Sequence, residues 1–163
     1  MPRADSSAVQ QLRSFIAKFD AQDQRLIRAV RAALRKRFPT AYELVYDNYN
    51  FFVIGYSPTE RPSDAIVTIA ARANGVGLCF IHGAKLPDPN RLLLGSGKQT
   101  RFIRLDAAST LAEPGVEALI AAAIARSKSP LPKTGRGRLM IRSIAPTQRP
   151  RRRPARALSR RRG

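Results

Sequence analysis

The sequence predicts an α+β domain with an antiparallel sheet of about five strands, flanked by two N-terminal helices and one C-terminal helix. Three observations support this prediction. Two amphipathic segments precede residue 39, segments rich in aromatic and β-branched residues lie between residues 42 and 105, and a further amphipathic segment follows residue 113. Helices before and after a group of consecutive strands are typical of α+β domains.

The helices are predicted from apolar residues spaced three and four apart along the chain. Ser6 or Ser7 can cap the first helix, whose apolar face includes Leu12 and Phe19. The second spans about residues 22–38 and has a row of arginines opposite its apolar stripe. The third is expected to begin at Pro114, because proline is favoured in the first turn of a helix.

The strands are predicted in the segments "YELVYD", "YNFFVIGY", "AIVTIAAR", "VGLCFIHG" and "RFIRL". The Asn-Gly pair at residues 74–75 predicts a hairpin between the third and fourth strands. Because side chains alternate along a strand, Cys79 is expected on the face opposite to Val76, Leu78 and Phe80.

The segment "GSGKQTRFIRLD", residues 95–106, contains glycines and a lysine like those of a phosphate-binding loop. That pattern requires glycine at position 92 and Ser or Thr at position 99, where this chain has Leu92 and Gln99. Asp88, with Pro89 after it, also predicts a helix of one to two turns before the loop, and a strand follows. A phosphate-binding loop precedes a helix, whereas this segment precedes a strand. Residues 95–106 are therefore not predicted to form a phosphate-binding loop.

The chain is predicted to form one domain, residues 1–127, followed by a disordered Arg/Pro-rich tail, residues 128–163. A chain of 163 residues is long enough for one core. The formal net charge of +19 divides into +6 for the domain and +13 for the tail, which has no acidic residue. Charges of one sign repel each other, so such a segment is usually disordered and available for interaction.

The sequence also supports a prediction of the cellular compartment. Cys79 is the only cysteine, which excludes an internal disulfide and the Cys-rich clusters that bind zinc or iron–sulfur centres. The N-terminus lacks the apolar centre of a secretory signal, and no apolar run approaches the length of a membrane span. We therefore expect a cytoplasmic protein without membrane insertion.

The stretch "VGLCFIHGAKLPDPNRLLLGSGKQTRFIRL", residues 76–105, resembles the signature of the YdhG-like domains, a bacterial family largely of unknown function. The matching positions are Leu86, Asp88, Pro89, Leu92, Leu93, Gly95, Ser96, Gly97, Lys98, Arg101 and Leu105. The resemblance covers roughly residues 8–127 in element order, although many members have a Gly-Met-Pro turn where this chain has "YDNYN" at residues 46–50. It implies a YdhG-like fold, a helix-flanked antiparallel sheet.

Some YdhG-like proteins are described as frataxin-like iron chaperones, so the resemblance makes iron binding an alternative function. Iron delivery requires oxygen or imidazole ligands, typically a surface row of carboxylates. The N-terminal helices offer only Asp5, Asp20 and Asp23, near Lys18 and Arg25, whose positive charges repel a cation. We predict no cofactor and no metal ligands, and iron enters only through the resemblance.

The segment "YDNYN" places Tyr46, Asp47, Asn48 and Tyr49 together, which is enough polar groups to orient an unidentified small ligand. The alternative is a hairpin turn in which Asp47 and Asn48 bond their own backbone. Either arrangement follows from the same residues.

Three further candidates for this ligand are His82, Lys98 and Arg101. Lys98 and Arg101 can hold a phosphate or carboxylate, or form a solvated basic edge, and His82 can bind the ligand or close a turn. Cys79 and His82 lie three positions apart on a strand, so they face opposite sides and do not form a nucleophile–base pair. Without a recognisable catalytic constellation, the predicted function is non-enzymatic.

The tail is predicted to give weak, non-specific nucleic-acid affinity, because neutralising phosphates releases counterions. The alternatives are a solubilising tail or one that binds acidic protein or lipid surfaces, since the tail has no aromatic side chain to stack on bases. The candidate residues are Arg136, Arg138, Arg149, Arg151, Arg152, Arg153, Arg156, Arg160, Arg161 and Arg162.

Overall fold

The computed structural model describes residues 2–154, with side-chain environments from residue 7 onward. Its helices and strands are α1 (Pro2–Ile16), α2 (Ala21–Arg37), β1 (Tyr42–Asp47), β2 (Phe52–Ser57), β3 (Val67–Arg72), β4 (Gly75–Phe80), β5 (Arg101–Leu105), α3 (Pro114–Ala125) and β6 (Leu139–Ile144). Three short 3-10 turns lie at Pro62–Asp64, Gly83–Lys85 and Ala108–Ala112. The predicted α+β class is confirmed.

The strands form one sheet in the order β5-β4-β3-β2-β1-β6. The first five strands pair antiparallel with their neighbours, as predicted, whereas β6 pairs parallel with β1. The sheet is therefore mixed and has six strands, rather than antiparallel with about five. The sixth strand adds to the edge of β1 because Leu139 and Ile141 pack against the core.

The three helices cover one face of the sheet. The amphipathic pattern of α2 is confirmed, since its stripe Ile27, Val30 and Leu34 is buried. From the sheet, Phe52 meets Phe15 of α1 with ring centres 6.2 Å apart. The same face receives Val76, Leu78 and Phe80 of β4, the three residues that the alternation of the strand placed together. Burial of these apolar side chains supplies the main driving force for the fold.

The prediction of a disordered tail is wrong for the part of it that forms β6. Residues 139–144 continue the sheet, and farther along the chain Arg151 is only 4% exposed. The chain passes close to the backbone of Ala41 at Gly137, where an added Cβ would overlap the carbonyl oxygen of Ala41. We call residues 137–154 the strap; Arg156, Arg160, Arg161 and Arg162 lie outside the described residues.

The predicted helix at residues 88–94 is also absent. The carboxylate of Asp88 accepts hydrogen bonds from the backbone N–H groups of Leu92 and Leu93, both at 2.9 Å, in a turn that does not propagate. Arg91 has a left-handed φ of 53°, which interrupts a right-handed helix. Leu94 then bridges Phe102, so residues 95–100 connect two extended segments and do not open a helix, in agreement with the exclusion of a phosphate-binding loop.

In the described part of the chain, no helix has the length and apolar character needed to cross a membrane.

Candidate functional site

The face of the sheet opposite the helices carries a concave cavity of about 590 Å³. The strand register places the central part of its lining in two rows across the sheet. The first row runs through Leu44, Gly55, Thr68, Cys79 and Phe102. The second runs through Tyr46, Val53, Ala70, Gly77 and Arg104. We call the cavity defined by these two rows the sheet trough.

The shape of the sheet trough follows from side-chain size. The middle strands contribute small side chains, such as Thr68 and Ala70, whereas the flanking strands contribute large ones, such as Tyr46 and Phe102. The floor also includes Gly77, where an added Cβ would lie 3.3 Å from the carbonyl oxygen of Ile103. The small residues therefore form a channel parallel to the strands, between two taller walls.

One end of the sheet trough is cationic. Arg72 donates from Nε to Oδ1 of Asn74 at 2.8 Å, and its guanidinium lies 5.2 Å from the ring centre of Phe51. Arg104 is exposed and has no ion pair within residues 2–154. The far end is closed by Pro62 and Ala65. The arrangement suits a molecule with an apolar body and an anionic group.

Cys79 lies on the floor of the sheet trough. Burial raises the pKa of its thiol to about 11. With this pKa, Cys79 is a neutral thiol near pH 7. Because the thiolate is the reactive form, the side chain acts there as a small apolar surface rather than as a nucleophile.

The structure separates the seven predicted ligand residues. Tyr46 and Asn48 line the sheet trough, whereas Asp47 lies buried on the opposite face of β1. Tyr49 is 50% exposed, and the guanidinium of Arg149 lies 5.6 Å from its ring centre.

The other three predicted residues lie beyond the sheet trough. His82 lines a second cavity, and Lys98 is exposed in the loop before β5. Arg101 donates from Nη1 to the carbonyl oxygens of Gly97 and Thr100 at 2.6 and 2.8 Å. The predicted set is therefore not one site.

Asp47 instead belongs to a charge cluster that fastens the strap, in which Asp47 and Arg151 are buried and Lys18 is partly exposed. Lys18 Nζ donates to Oδ2 of Asp47 at 2.7 Å, and Arg151 Nη2 donates to its Oδ1 at 2.9 Å. Burial alone raises the pKa of Asp47, but hydrogen bonds from Lys18, Gln148 and Arg151, together with the charge of Lys18, outweigh this effect and lower the pKa below its ordinary value. Asp47 is thus a structural anion, ionised at neutral pH.

The described arginines among the predicted nucleic-acid-binding residues fall into two groups. Arg149, Arg151, Arg152 and Arg153 contact the domain, with Arg152 donating to the carbonyl oxygens of Ala17 and Lys18 and Arg153 Nη2 lying 3.9 Å from Asp23. Arg136 and Arg138 are exposed and have no ion pair within residues 2–154. The side chains of the first group are thus partly engaged in contacts with the domain.

The residues that line the sheet trough were missed by the sequence reading, apart from Tyr46 and Asn48. The available signal was small residues at alternate positions, Thr68 and Ala70 on β3, then Gly77 and Cys79 on β4. Alternate positions share one face of a strand, so these pairs indicate a shallow region on the uncovered side. The walls and the cationic end depend on which strands are neighbours.

Within residues 2–154, no group of three or more His, Cys, Asp and Glu side chains is arranged to hold a metal ion. Asp23, one of the carboxylates considered for iron, is only 3% exposed, and burial raises its pKa. Both properties make it a poorer cation ligand than an exposed carboxylate.

No protein-family model, curated protein or solved structure matches this chain.

Proposed function

We propose that this protein is a non-enzymatic binding protein for a small amphipathic anion, which occupies the sheet trough. The observation that supports this proposal most directly is a largely apolar cavity of about 590 Å³ with Arg72 and Arg104 at one end. Small-ligand pockets in proteins measure about 300–1,000 Å³ and combine apolar walls with a few placed polar groups.

The two arginines give the ligand its direction. Arg72 is oriented by Asn74 and Phe51, so less conformational freedom is lost when it binds an anion. Arg104 projects from the wall opposite Tyr46. We infer that a carboxylate or phosphate lies near these guanidinium groups, while the apolar part of the ligand extends over Ala70 and Cys79 towards Ala65.

The test uses anilinonaphthalene sulfonate, a fluorescent apolar anion, with octanoate and octanol as competitors. Octanoate should displace the dye at lower concentration than octanol, because only octanoate has the anionic group. Ala70→Phe should fill the floor and abolish dye binding. Arg104→Gln should reduce the preference for octanoate by about tenfold, which corresponds to ~1.4 kcal/mol.

The matched control is Arg13→Gln, which removes an exposed charge on α1, away from the sheet trough. It should leave the order of the competitors unchanged. Dye binding that is equal in the parent chain and in a folded Ala70→Phe variant would contradict the proposal.

A second candidate function, non-specific nucleic-acid binding through the tail, is favoured by the net charge of +19 and by the exposed Arg136 and Arg138.

Removing everything after Ser127 is not a clean test, because β6 and Arg151 would be lost with it. A better comparison is the full chain against Arg136→Gln/Arg138→Gln and against a chain ending at Pro154. Fluorescence anisotropy with a labelled duplex should show salt-dependent binding that weakens in both variants. Binding unchanged in both would exclude Arg136, Arg138 and the residues after Pro154 as the nucleic-acid contact.

Two hypotheses gain no supporting observation and stay proposals: membership of the YdhG-like domains and iron binding as a chaperone. An iron-binding role predicts that ferrous iron binds the full chain and is lost in Asp20→Ala/Asp23→Ala. Titration of the parent chain and this variant with ferrous iron under anaerobic conditions distinguishes that role from small-anion binding.

A further inference from the structure

A second cavity, of about 620 Å³, lies beyond the ends of β4 and α3. Apart from Gln99, which lies in the loop before β5, its lining comes from three separate parts of the chain. These are the loop containing the Pro62–Asp64 turn, the Gly83–Lys85 turn with its neighbours, and the C-terminal end of α3 with the residues that follow. We call it the basic cavity.

Positive charge dominates the basic cavity. Four permanent cations line it, Arg61, Lys85, Arg126 and Lys128, and all four are exposed. Within the described residues, none of their side chains forms an ion pair. The single lining carboxylate, Asp64, accepts a hydrogen bond from Oγ1 of Thr59 at 2.7 Å.

The C-terminal end of a helix attracts cations, which offers a simpler reason for Arg126 and Lys128. It does not account for Arg61 and Lys85, which come from other segments of the chain. Cations from three parts of the chain that converge on one concavity repel one another unless an anion neutralises them. The convergence thus favours a ligand with more than one negative charge.

The floor of the basic cavity is apolar. Its accessible part consists of Leu86 and Ala123, which are half-buried, and the core residues Phe80 and Ile66 lie buried beside them. A ligand consisting only of phosphate would leave this surface without a partner. The volume also falls within the range of small-molecule sites, about 300–1,000 Å³.

We propose that the basic cavity binds a small organic phosphate. Its phosphate groups contact Arg61, Lys85, Arg126 and Lys128, and its uncharged part lies over Leu86 and Ala123. His82, which also lines the cavity, is placed to donate a further hydrogen bond to phosphate. The inference is independent of the sheet trough, with which the basic cavity shares only the lining residue Ala65.

Isothermal titration of the full chain with pyrophosphate and with ADP tests the proposal. Both should bind, and ADP should bind more tightly, because only ADP has an uncharged part to cover the apolar floor. Arg61→Ala and Lys85→Ala should each weaken ADP binding by about tenfold, since hydrogen bonds to charged groups are the stronger ones.

Two matched variants make the result specific. Arg13→Ala removes one exposed positive charge on α1 and should leave ADP binding unchanged. Ala70→Phe fills the sheet trough and should also leave it unchanged, which separates this site from the proposed function. All substituted cations are exposed, so thermal denaturation should show the parent fold in each variant that replaces a cation.

Three results would overturn the proposal. The first is the absence of binding by both pyrophosphate and ADP. The second is an equal loss of affinity in Arg13→Ala and Arg61→Ala, which would indicate attraction by overall charge. The third is a single-stranded oligonucleotide without terminal phosphate that binds more tightly than ADP and depends on Arg61 and Lys85, which would make the cavity part of a nucleic-acid surface.

Discussion

Arg151 Nη2 lies 2.9 Å from Oδ1 of Asp47, across 104 positions of sequence, with side chains that are 2% and 0% exposed. The partners are not equivalent. Asp47 is also bonded by Lys18, whereas Nε and Nη1 of Arg151 are buried without a hydrogen-bond partner among the described residues. The arginine therefore depends on the carboxylate more than the carboxylate depends on the arginine.

This asymmetry predicts unequal effects of removing the two partners. Asp47→Asn leaves a buried guanidinium without an anion and should lower the free energy of unfolding by about 3–5 kcal/mol. Arg151→Met keeps most of the side-chain volume and leaves Asp47 paired with Lys18, so its loss should be smaller. Urea denaturation measures both, and the double variant should be more stable than Asp47→Asn alone. Equal losses in the two single variants would contradict this account.

The same carboxylate predicts an acid dependence of stability. The pKa of Asp47 is lowered below 3.8 in the folded protein. Its contribution is therefore fully present above 3.8 and is lost as the pH falls through the lower folded value. The decline in unfolding free energy on acidification should be less steep in Asp47→Asn than in the parent chain. Parallel curves for the two proteins would show that Asp47 does not titrate in this way.

Gly137 is predicted to be required for strap attachment. A Cβ at this position would overlap the backbone carbonyl of Ala41, so Gly137→Ala must displace the chain just before β6. Overpacking of this kind costs about 1–3 kcal/mol, occasionally more. Hydrogen exchange of the β6 amides should accelerate in this variant.

The control is Gly97→Ala, because a Cβ at Gly97 would meet nothing within 4 Å. It should leave exchange in β6 unchanged. A Gly137→Ala chain with parent-like exchange would mean that the close approach to Ala41 does not hold the strap.

Cys79 is predicted to react slowly with iodoacetamide at neutral pH. Its pKa is about 11, so only a small fraction is thiolate near pH 7. The alkylation rate, measured by mass spectrometry, should rise with pH towards that value. Occupation of the sheet trough by octanoate should slow the reaction further, and a fast reaction at neutral pH would be inconsistent with a half-buried neutral thiol.

Local patterns predicted most of the helices and strands. The spacing of Ile27, Val30 and Leu34 identified the buried face of α2, and the Asn-Gly pair at residues 74–75 identified the β3–β4 hairpin. The same approach failed at residues 88–94, because Asp88 and Pro89 favour a first helical turn but Arg91 adopts a left-handed conformation that ends it. The residues that favour the start of a helix act locally. Whether a helix continues depends here on a more distant contact, because Leu94 forms a β-bridge with Phe102.

The candidate sites were less predictable. Tyr46 and Asn48 were identified, yet Asp47 between them faces the other side of the sheet. His82 was identified as a single residue, but its neighbours in the basic cavity come from segments near residues 61 and 126. A site assembled from distant segments has no signature in any one of them.

By itself, the sequence determined which residues of each helix and strand face the core, because that follows from periodicities of 3.6 and 2 residues within one element. It therefore placed Leu78 inside and Cys79 on the opposite face. Only the tertiary structure decided that β6 joins β1 in parallel and that Arg151 lies against Asp47. Charge and proline content describe how a segment behaves alone, whereas burial of an arginine depends on a carboxylate that only folding brings to it.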